Sequence, residues 1–410
     1  MDMGWDFLPE VDEMQKAFKK GGVEECTRLL ERKRDEWKNI PLNVAVVGNS
    51  GVGKSSFINA IRGLTADDVG AAPVGVKECT NDIRSYSLRE NPMLKFWDLP
   101  GVGTDNFPRQ TYLSVIGVDR FDFFLLITAD RFTENDTWFG KKIHERNKSY
   151  FIVRTKIGLD VANDNLAHPR THNEEAVVEV IRESTKKHLE KNNCKDVPIF
   201  LIDSYQKTKF EFGKLECHLV EEFPNLKKAV LVMSLQATST QMIKLKVQQL
   251  RSRMWKVAAL SAVVAAVPVP GVSLTFDIGL VVEEADVYFT QLGLDEASLR
   301  RYARLTSTNY DDLKVIVDGA LGGVTVVGLK GIRKIVENIL KRAGVPLTTS
   351  TAIEEASKFL PVIGNFIIAP AASFGGTYYA LKLTLDKMES TAVKVVNFAA
   401  KNSVHADEEN

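Results

Sequence analysis

Eight consecutive residues, Gly48-Asn49-Ser50-Gly51-Val52-Gly53-Lys54-Ser55, set glycines, a lysine and a hydroxyl at the spacing G-x-x-x-x-G-K-[ST]. Such a loop suits the cradling of a polyphosphate. Glycine lets the backbone wrap an anion without Cβ clashes, and successive N–H groups point inward. A helix starting at the loop adds partial positive charge. Lys54 is expected to reach the β- and γ-phosphates, and the Ser55 hydroxyl to ligate Mg²⁺. Gly48, Ser50, Gly51, Gly53 and Ser56 complete the expected phosphate-binding set. Further on, Asp98-Leu99-Pro100-Gly101 follows an apolar run ending at Trp97. A carboxylate there can hold the Mg²⁺ shell through water, and Gly101 offers an N–H to a γ-phosphate. An ordinary Asp-x-Pro-Gly turn is the plainer alternative for this stretch alone. Between the two motifs, Thr80 is the best-placed hydroxyl to sense γ-phosphate and Mg²⁺ from a mobile loop; a solvated loop threonine is the other reading.

Base recognition is expected after a later strand. Guanine is commonly read by an [NT]-K-x-D segment, whose Asp accepts from N1–H and N2–H₂. Here Thr155 and Lys156 stand in place, but Gly158 occupies the position of the Asp, and Asp160 follows two residues later. Losing one partner of a paired polar contact forfeits much of its discrimination. Guanine selection is therefore left open, with Asp160 either swinging in or remaining an exposed loop carboxylate. The Lys156 stem is suited to lie along the base. Asp203-Ser204, after the last strand, can present backbone N–H groups to the base oxygen.

These residues need strands and helices to hold them. Leu42 to Val47 is a short, apolar, β-branched run, and similar runs cover Met93 to Trp97, Phe121 to Thr128, Tyr150 to Thr155 and Val197 to Asp203. Helical patterns cover about 54–62, 133–146 and 173–191. The alternation predicts a mostly parallel α/β sheet with helices on both faces. Before it, residues 9 to 38 read as two helices divided at Gly21-Gly22. After about Glu222 only helical patterns remain. The expected organisation is N-terminal helices over 1–40, a nucleotide-binding domain over 41–224, a helical domain over 225–404 and a polar tail over 405–410.

The chain of 410 residues is long enough for two domains. Lys+Arg and Asp+Glu both number 53, so no basic excess argues for nucleic-acid binding. Cys26, Cys79, Cys194 and Cys217 form no C-x-x-C pair, which argues against zinc and fits a reducing compartment. Met1-Asp2-Met3-Gly4 opens no apolar signal core, so a cytoplasmic location is expected.

Taken together, several segments resemble the interferon-inducible, immunity-related GTPases. The carriers are Gly51 to Asn59, Phe96-Trp97-Asp98-Leu99-Pro100-Gly101, Asn106-Phe107-Pro108, Arg131-Phe132 with Asn135-Asp136, Val153-Arg154-Thr155-Lys156, and the stretch from Met233-Ser234-Leu235 to Arg253-Met254-Trp255. Lys54 places the chain beside members with Lys, rather than Met, in the P-loop. The resemblance implies a Ras-like domain flanked by a helical domain built from both chain ends. It implies slow hydrolysis of GTP to GDP that accelerates on nucleotide-dependent self-assembly, and association with intracellular and pathogen-containing membranes in cell-autonomous defence. It assigns Glu78 to hydrolysis, and Arg131 and Asp136 to a self-contact across the nucleotide face. The residues themselves agree that help is needed: Val102 follows Gly101 and cannot orient a water, and no cis arginine is evident.

Three stretches bear on membranes. Residues 257–276 and 359–381 carry no charge but are broken by Pro and Gly. The breaks favour buried helices; insertion is the alternative. Residues 329–342 pair an apolar face with Lys330, Arg333, Lys334, Lys341 and Arg342. That pattern suits either a core-facing helix or a helix lying on an anionic membrane. Two functions therefore compete: an assembling GTPase acting at membranes, and a nucleotide-binding scaffold with little turnover and relaxed guanine preference. An ATPase of similar fold is the third.

Overall fold

A computed structural model of the chain describes residues 8–75, 82–129, 132–191, 197–265, 278–322, 328–343 and 368–408. The chain divides into two compact units, one of residues 37–235 and one of residues 1–36 with 236–410.

The first unit is an α/β domain. Six strands, β1 (Leu42–Val47), β2 (Arg84–Ser87), β3 (Leu94–Asp98), β4 (Phe123–Thr128), β5 (Tyr150–Arg154) and β6 (Ile199–Leu201), form one sheet in the order β2-β3-β1-β4-β5-β6. All pairings are parallel except that of β2 with β3. Every residue of β4 and β5 is buried, which is why these strands read as unbroken apolar runs. The edge strand β2 is Arg-Ser-Tyr-Ser and half exposed, a short polar edge that resists pairing with other chains.

Both faces of the sheet are covered. On one, Ala45, Val47, Phe124, Leu126 and Ile152 pack with Tyr112 and Ile116 of α3 (Arg109–Ile116), Phe139 and Ile143 of α4 (Glu134–His144), and Leu189 of α6 (Glu174–Lys191). The other presents a row of rings, Phe123, Phe151 and Phe200, continued by Phe223 and by His218 of α7 (Phe212–Glu221). Phe57 of α2 (Lys54–Ile61) meets Phe212 on that side. Ile157 and Val161 of α5 (Ile157–Ala167) pack on Leu201. The helix α8 (Asn225–Ser234) also belongs to this unit.

The second unit is helical. It comprises α1 (Leu8–Arg34), α9 (Thr240–Ala265), α10 (Ile278–Gln291), α11 (Glu296–Thr306), α12 (Tyr310–Leu321), α13 (Gly328–Arg342) and α14 (Ile368–Glu408). Gly21 and Gly22 leave helical geometry and kink α1. Buried Arg253 clamps three segments: it donates to both Glu284 oxygens at 2.7 and 2.9 Å, to Asp35 at 2.9 Å and to the Arg34 carbonyl at 2.8 Å. Between α9 and α14, the hydroxyls of Ser261, Ser373 and Thr377 satisfy one another at 2.8 and 2.9 Å.

Of the three stretches with membrane character, the described parts of 257–276 and 359–381 are turned inward. Val257, Ala258, Leu260, Phe374 and Leu381 are all buried; residues 266–277 and 359–367 lie outside the described residues. In α13 the apolar residues Ile332, Ile335, Val336, Ile339 and Leu340 are buried while Lys330, Arg333, Lys334, Lys341 and Arg342 are exposed. The exposed side of this helix carries those five basic residues together with Leu329 and Glu337, the latter paired with Arg333. Among the described residues, no helix is long and apolar enough to cross a membrane. Cys26 and Cys217 are buried thiols, whereas Cys79 and Cys194 lie outside the described residues. The polar stretch after residue 404 stays helical, α14 running to Glu408.

Candidate functional site: a nucleotide cradle

Strand β1 delivers the chain to Gly48 beside β4, and the loop from Gly48 to Gly53 turns it into α2. A Cβ at Gly48 would run into the Ile127 carbonyl, so only glycine lets the loop pass this close to β4. Gly53 caps α2 at φ 94°, a left-handed conformation that side chains resist. Buried Lys54 extends its ammonium back along the loop, donating to the carbonyls of Gly48 and Asn49, both at 3.0 Å. Its charge is thereby held at the loop rim, with the α2 N-terminus behind it.

The two phosphate-side motifs meet as expected. Ser55 Oγ donates to Asp98 Oδ2 at 2.8 Å. Gly101 lies against the loop: a Cβ there would sit 3.6 Å from the Ser50 nitrogen and 3.7 Å from the Gly48 carbonyl. Two hard oxygens beside a phosphate cradle are a donor set that fits Mg²⁺. Val102 is buried in the sheet core and presents no polar atom where a water would be oriented.

The start of α4 braces this arrangement. Asn49 Nδ2 donates to Thr133 Oγ1 at 3.0 Å, and Asn135 Nδ2 donates to the Val102 carbonyl at 2.7 Å. Asp136, expected from resemblance at a self-contact, is buried: its carboxylate accepts from the Thr133 N–H and hydroxyl, both at 2.8 Å, closing a capping box. Burial raises its pKa, partly offset by those two hydrogen bonds. Asp136 therefore shapes the helix start and offers no exposed charge. Glu78, Thr80 and Arg131 lie outside the described residues.

The base side is assembled from two loops. Thr155 Oγ1 lies 2.6 Å from the Val52 carbonyl and 3.0 Å from the Thr128 carbonyl, so this hydroxyl ties the phosphate loop to β4 and β5. Lys156 takes φ 61°, a strained conformation for a residue with a side chain, at the start of α5. Asp160 is turned to buried Arg154, which donates to it at 2.7 Å. Beyond the ends of β5 and β6 the two strands stay joined. Ile202 N–H donates to the Arg154 carbonyl at 2.8 Å, and Ile157 N–H to the Ile202 carbonyl at 3.3 Å. One step further, Gly158 N–H donates to Asp203 Oδ2 at 3.1 Å, and Tyr205 N–H to Asp203 Oδ1 at 2.8 Å. Ser204 is half-buried in that loop, and the Tyr205 hydroxyl lies 3.2 Å from Ser56 Oγ.

The Asp203 carboxylate beside Gly158 and the Tyr205–Ser56 contact are what the sequence did not disclose. From sequence alone, Asp203-Ser204 suggests only backbone N–H donors. The available signal was a pairing: an acid directly after the last strand, with a glycine where the preceding loop usually keeps its acid.

Comparison with known proteins places this cradle. The family model described as Interferon-inducible GTPase (IIGP) matches residues 9–320. The mouse T-cell-specific guanine nucleotide triphosphate-binding protein 2 is 33% identical over 297 residues, 72% of this chain and 70% of that protein. Mouse interferon-gamma-inducible GTPase 10 is 32% identical over 382 residues, 93% of this chain and 87% of that protein. Mouse interferon-inducible GTPase 1 is 33% identical over 304 residues, 73% of each chain. With the family model spanning most of its length and the phosphate loop in its expected place, the chain belongs to the interferon-inducible GTPase family.

Proposed function

We propose that this GTPase hydrolyses GTP to GDP slowly alone and faster in nucleotide-dependent assemblies of its own copies. The reading extends to a cytoplasmic protein that associates peripherally with intracellular or pathogen-containing membranes in cell-autonomous defence, which rests on family membership. The exposed basic residues of α13 are the feature of this chain that suits an anionic surface.

Water attacks the γ-phosphorus, the bond to the β–γ bridging oxygen breaks, and GDP and inorganic phosphate leave. Lys54 neutralises charge on the β- and γ-oxygens, with the loop N–H groups and the α2 N-terminus behind it. Ser55 and Asp98, with Thr80, would hold Mg²⁺, which when bound draws off charge from the phosphate oxygens. Glu78 is assigned to the water, and Arg131 with the helix start closed by Asp136 to the contact between copies.

One observation carries the assembly reading: Val102, buried and apolar, stands where a water-orienting side chain is needed. Among the described residues the cradle offers groups for the phosphates and none for the last step, which this reading gives to Glu78 acting in the contact between two copies. The test is turnover per molecule at saturating GTP over a hundredfold range of protein concentration. It is expected to climb steeply and then level off, as for an active species that must associate. Glu78→Ala should bind GTP and assemble without turning over. A flat specific activity would favour a nucleotide-binding scaffold over an assembling enzyme.

A further inference from the structure

Position 158 combines two observations. It is the place where a guanine-reading carboxylate is expected, and it is a glycine. The volume a side chain would take there is already filled: a Cβ built on Gly158 would lie 2.8 Å from Asp203 Oδ2 and 3.0 Å from Gln206 Oε1. In an aspartate at 158, the carboxylate oxygens would stand about 2.4 Å from that Cβ by standard bond lengths. Asp203 Oδ2 thus holds nearly the same radius around the position, reached from the opposite loop.

We infer that Asp203, from the loop after β6, supplies the carboxylate that reads the guanine N1–H and N2–H₂ in this chain. The inference rests on the GTP-binding reading and names the residue that makes it specific. Asp203 is suited to the task by how it is held. It is 7% exposed, and each oxygen accepts one backbone N–H, from Gly158 and from Tyr205. A carboxylate has about four acceptor sites, so lone pairs remain for a ligand. Among the described residues no cation pairs with it, so its charge is not spent internally. Asp160, the competing acid, is held by Arg154. The hydrogen bonds joining Arg154, Ile157 and Ile202 carry the β5–β6 pairing out to Gly158 and Asp203, which fixes their mutual register.

The hydrogen-bond chemistry then sets the preference. Guanine offers two adjacent donors to the carboxylate. Adenine offers an acceptor at N1, and xanthine replaces the N2–H₂ donor with a carbonyl. Substituting asparagine for Asp203 keeps an acceptor for N1–H and adds a donor for that carbonyl, which favours xanthine.

The experiment measures displacement of a fluorescent guanine nucleotide from the full chain by GTP, XTP, ITP and ATP. Wild type is expected to prefer GTP over both XTP and ITP by at least tenfold. Asp203→Asn should lose at least tenfold in GTP affinity and gain a comparable factor for XTP, a gain that a misfolded protein cannot produce. Asp160→Asn should keep the wild-type order. Gly158→Ala provides a second route: its methyl group presses on Asp203 Oδ2 and should narrow the GTP-to-ITP ratio. If Asp203→Asn does not fold, an unchanged ratio in Gly158→Ala overturns the inference. It is equally overturned if Asp203→Asn keeps the wild-type GTP-to-XTP ratio, or if Asp160→Asn makes the switch. Should wild type bind ATP, XTP and GTP alike while Lys54→Ala binds none, phosphate binding stands and guanine reading falls. Should wild type bind no nucleotide at all, the GTP-binding reading itself falls.

Discussion

On the phosphate side, most of the expected groups lie within Gly48–Ser56, joined by Asp98 and Gly101 at the end of the neighbouring strand, with Thr80 outside the described residues. On the base side they come from two loops more than forty residues apart, after β5 and after β6, which meet only in the folded sheet: Gly158 N–H finds the Asp203 carboxylate at 3.1 Å. The difference is one of locality. A phosphate is bound by backbone N–H groups and one cation, which a single strand–loop–helix can supply. A base edge needs a carboxylate at one point in space, and either of two adjacent loops can deliver it. The first kind of site is bound to its sequence spacing, whereas the second can move its acid from one loop to another without losing its geometry.

The largest expected effect follows from breaking the local side. Lys54→Ala should lower GTP affinity by at least a hundredfold, roughly 3 kcal/mol, measured by titration calorimetry, and XTP and ATP should fall alike. The thermal transition should shift by only a few degrees, since the ammonium's hydrogen bonds go to the Gly48 and Asn49 carbonyls of the loop and Lys54 is not among the apolar side chains of the sheet core. Unchanged affinity would remove the phosphate site from this loop.

The same contrast decides what sequence reading could reach. The P-loop was legible because its function is written in consecutive residues. Strands β1, β4 and β5 were legible because burial on both faces makes them continuous apolar runs. β2 was not, because an edge strand of Arg-Ser-Tyr-Ser carries no burial pattern. The helical patterns read in the sequence leave out α3, α5 and α7. α3 buries only Tyr112 and Ile116 and α5 only Ile157 and Val161, too few to show a period, whereas α7 buries Phe212, Leu215, Leu219 and Val220 at helical spacing and does carry a signal. Asp136 teaches the reverse lesson. Resemblance implies a contact between copies beside it, and the local string Thr133-x-x-Asp136 spells a capping box as well, a second role that local spacing alone discloses. Asp203 offers only a faint signal, an acid after the last strand where the preceding loop has a glycine, because its partner lies in another loop and the link between them is a register, not a spacing.

On the distributed side, a naive repair should fail. Gly158→Asp returns the residue that the motif usually carries, and a site truly lacking its acid would gain guanine affinity from it. Here the new Cβ meets Asp203 Oδ2 at 2.8 Å, and the second carboxylate would share the space of the first. Like charges so close resist ionising together and push each other out of line. GTP affinity is expected to fall about tenfold, about 1.4 kcal/mol, with ATP affinity little changed. A rise in the GTP-to-ATP ratio, followed by displacement titration, would mean that the base side was empty and Asp203 idle.

The smallest expected effect probes where the two sides touch. The Tyr205 hydroxyl, on the loop that carries Asp203, lies 3.2 Å from Ser56 Oγ at the start of α2. Tyr205 is 76% exposed, so water can replace the bond, and its net contribution is on the order of 0.5 kcal/mol. Tyr205→Phe removes the oxygen and keeps the ring. If the sides are independent modules, GTP, XTP and ATP should each weaken by no more than about threefold, and by the same factor. A loss confined to GTP would carry a different meaning. The loop after β6 would then depend on its anchor to α2 to present Asp203, and reading of the base would be conditional on the phosphate side being in place. Displacement titrations with the three nucleotides separate the cases: a uniform small loss marks two modules, and a guanine-selective one marks a coupled site.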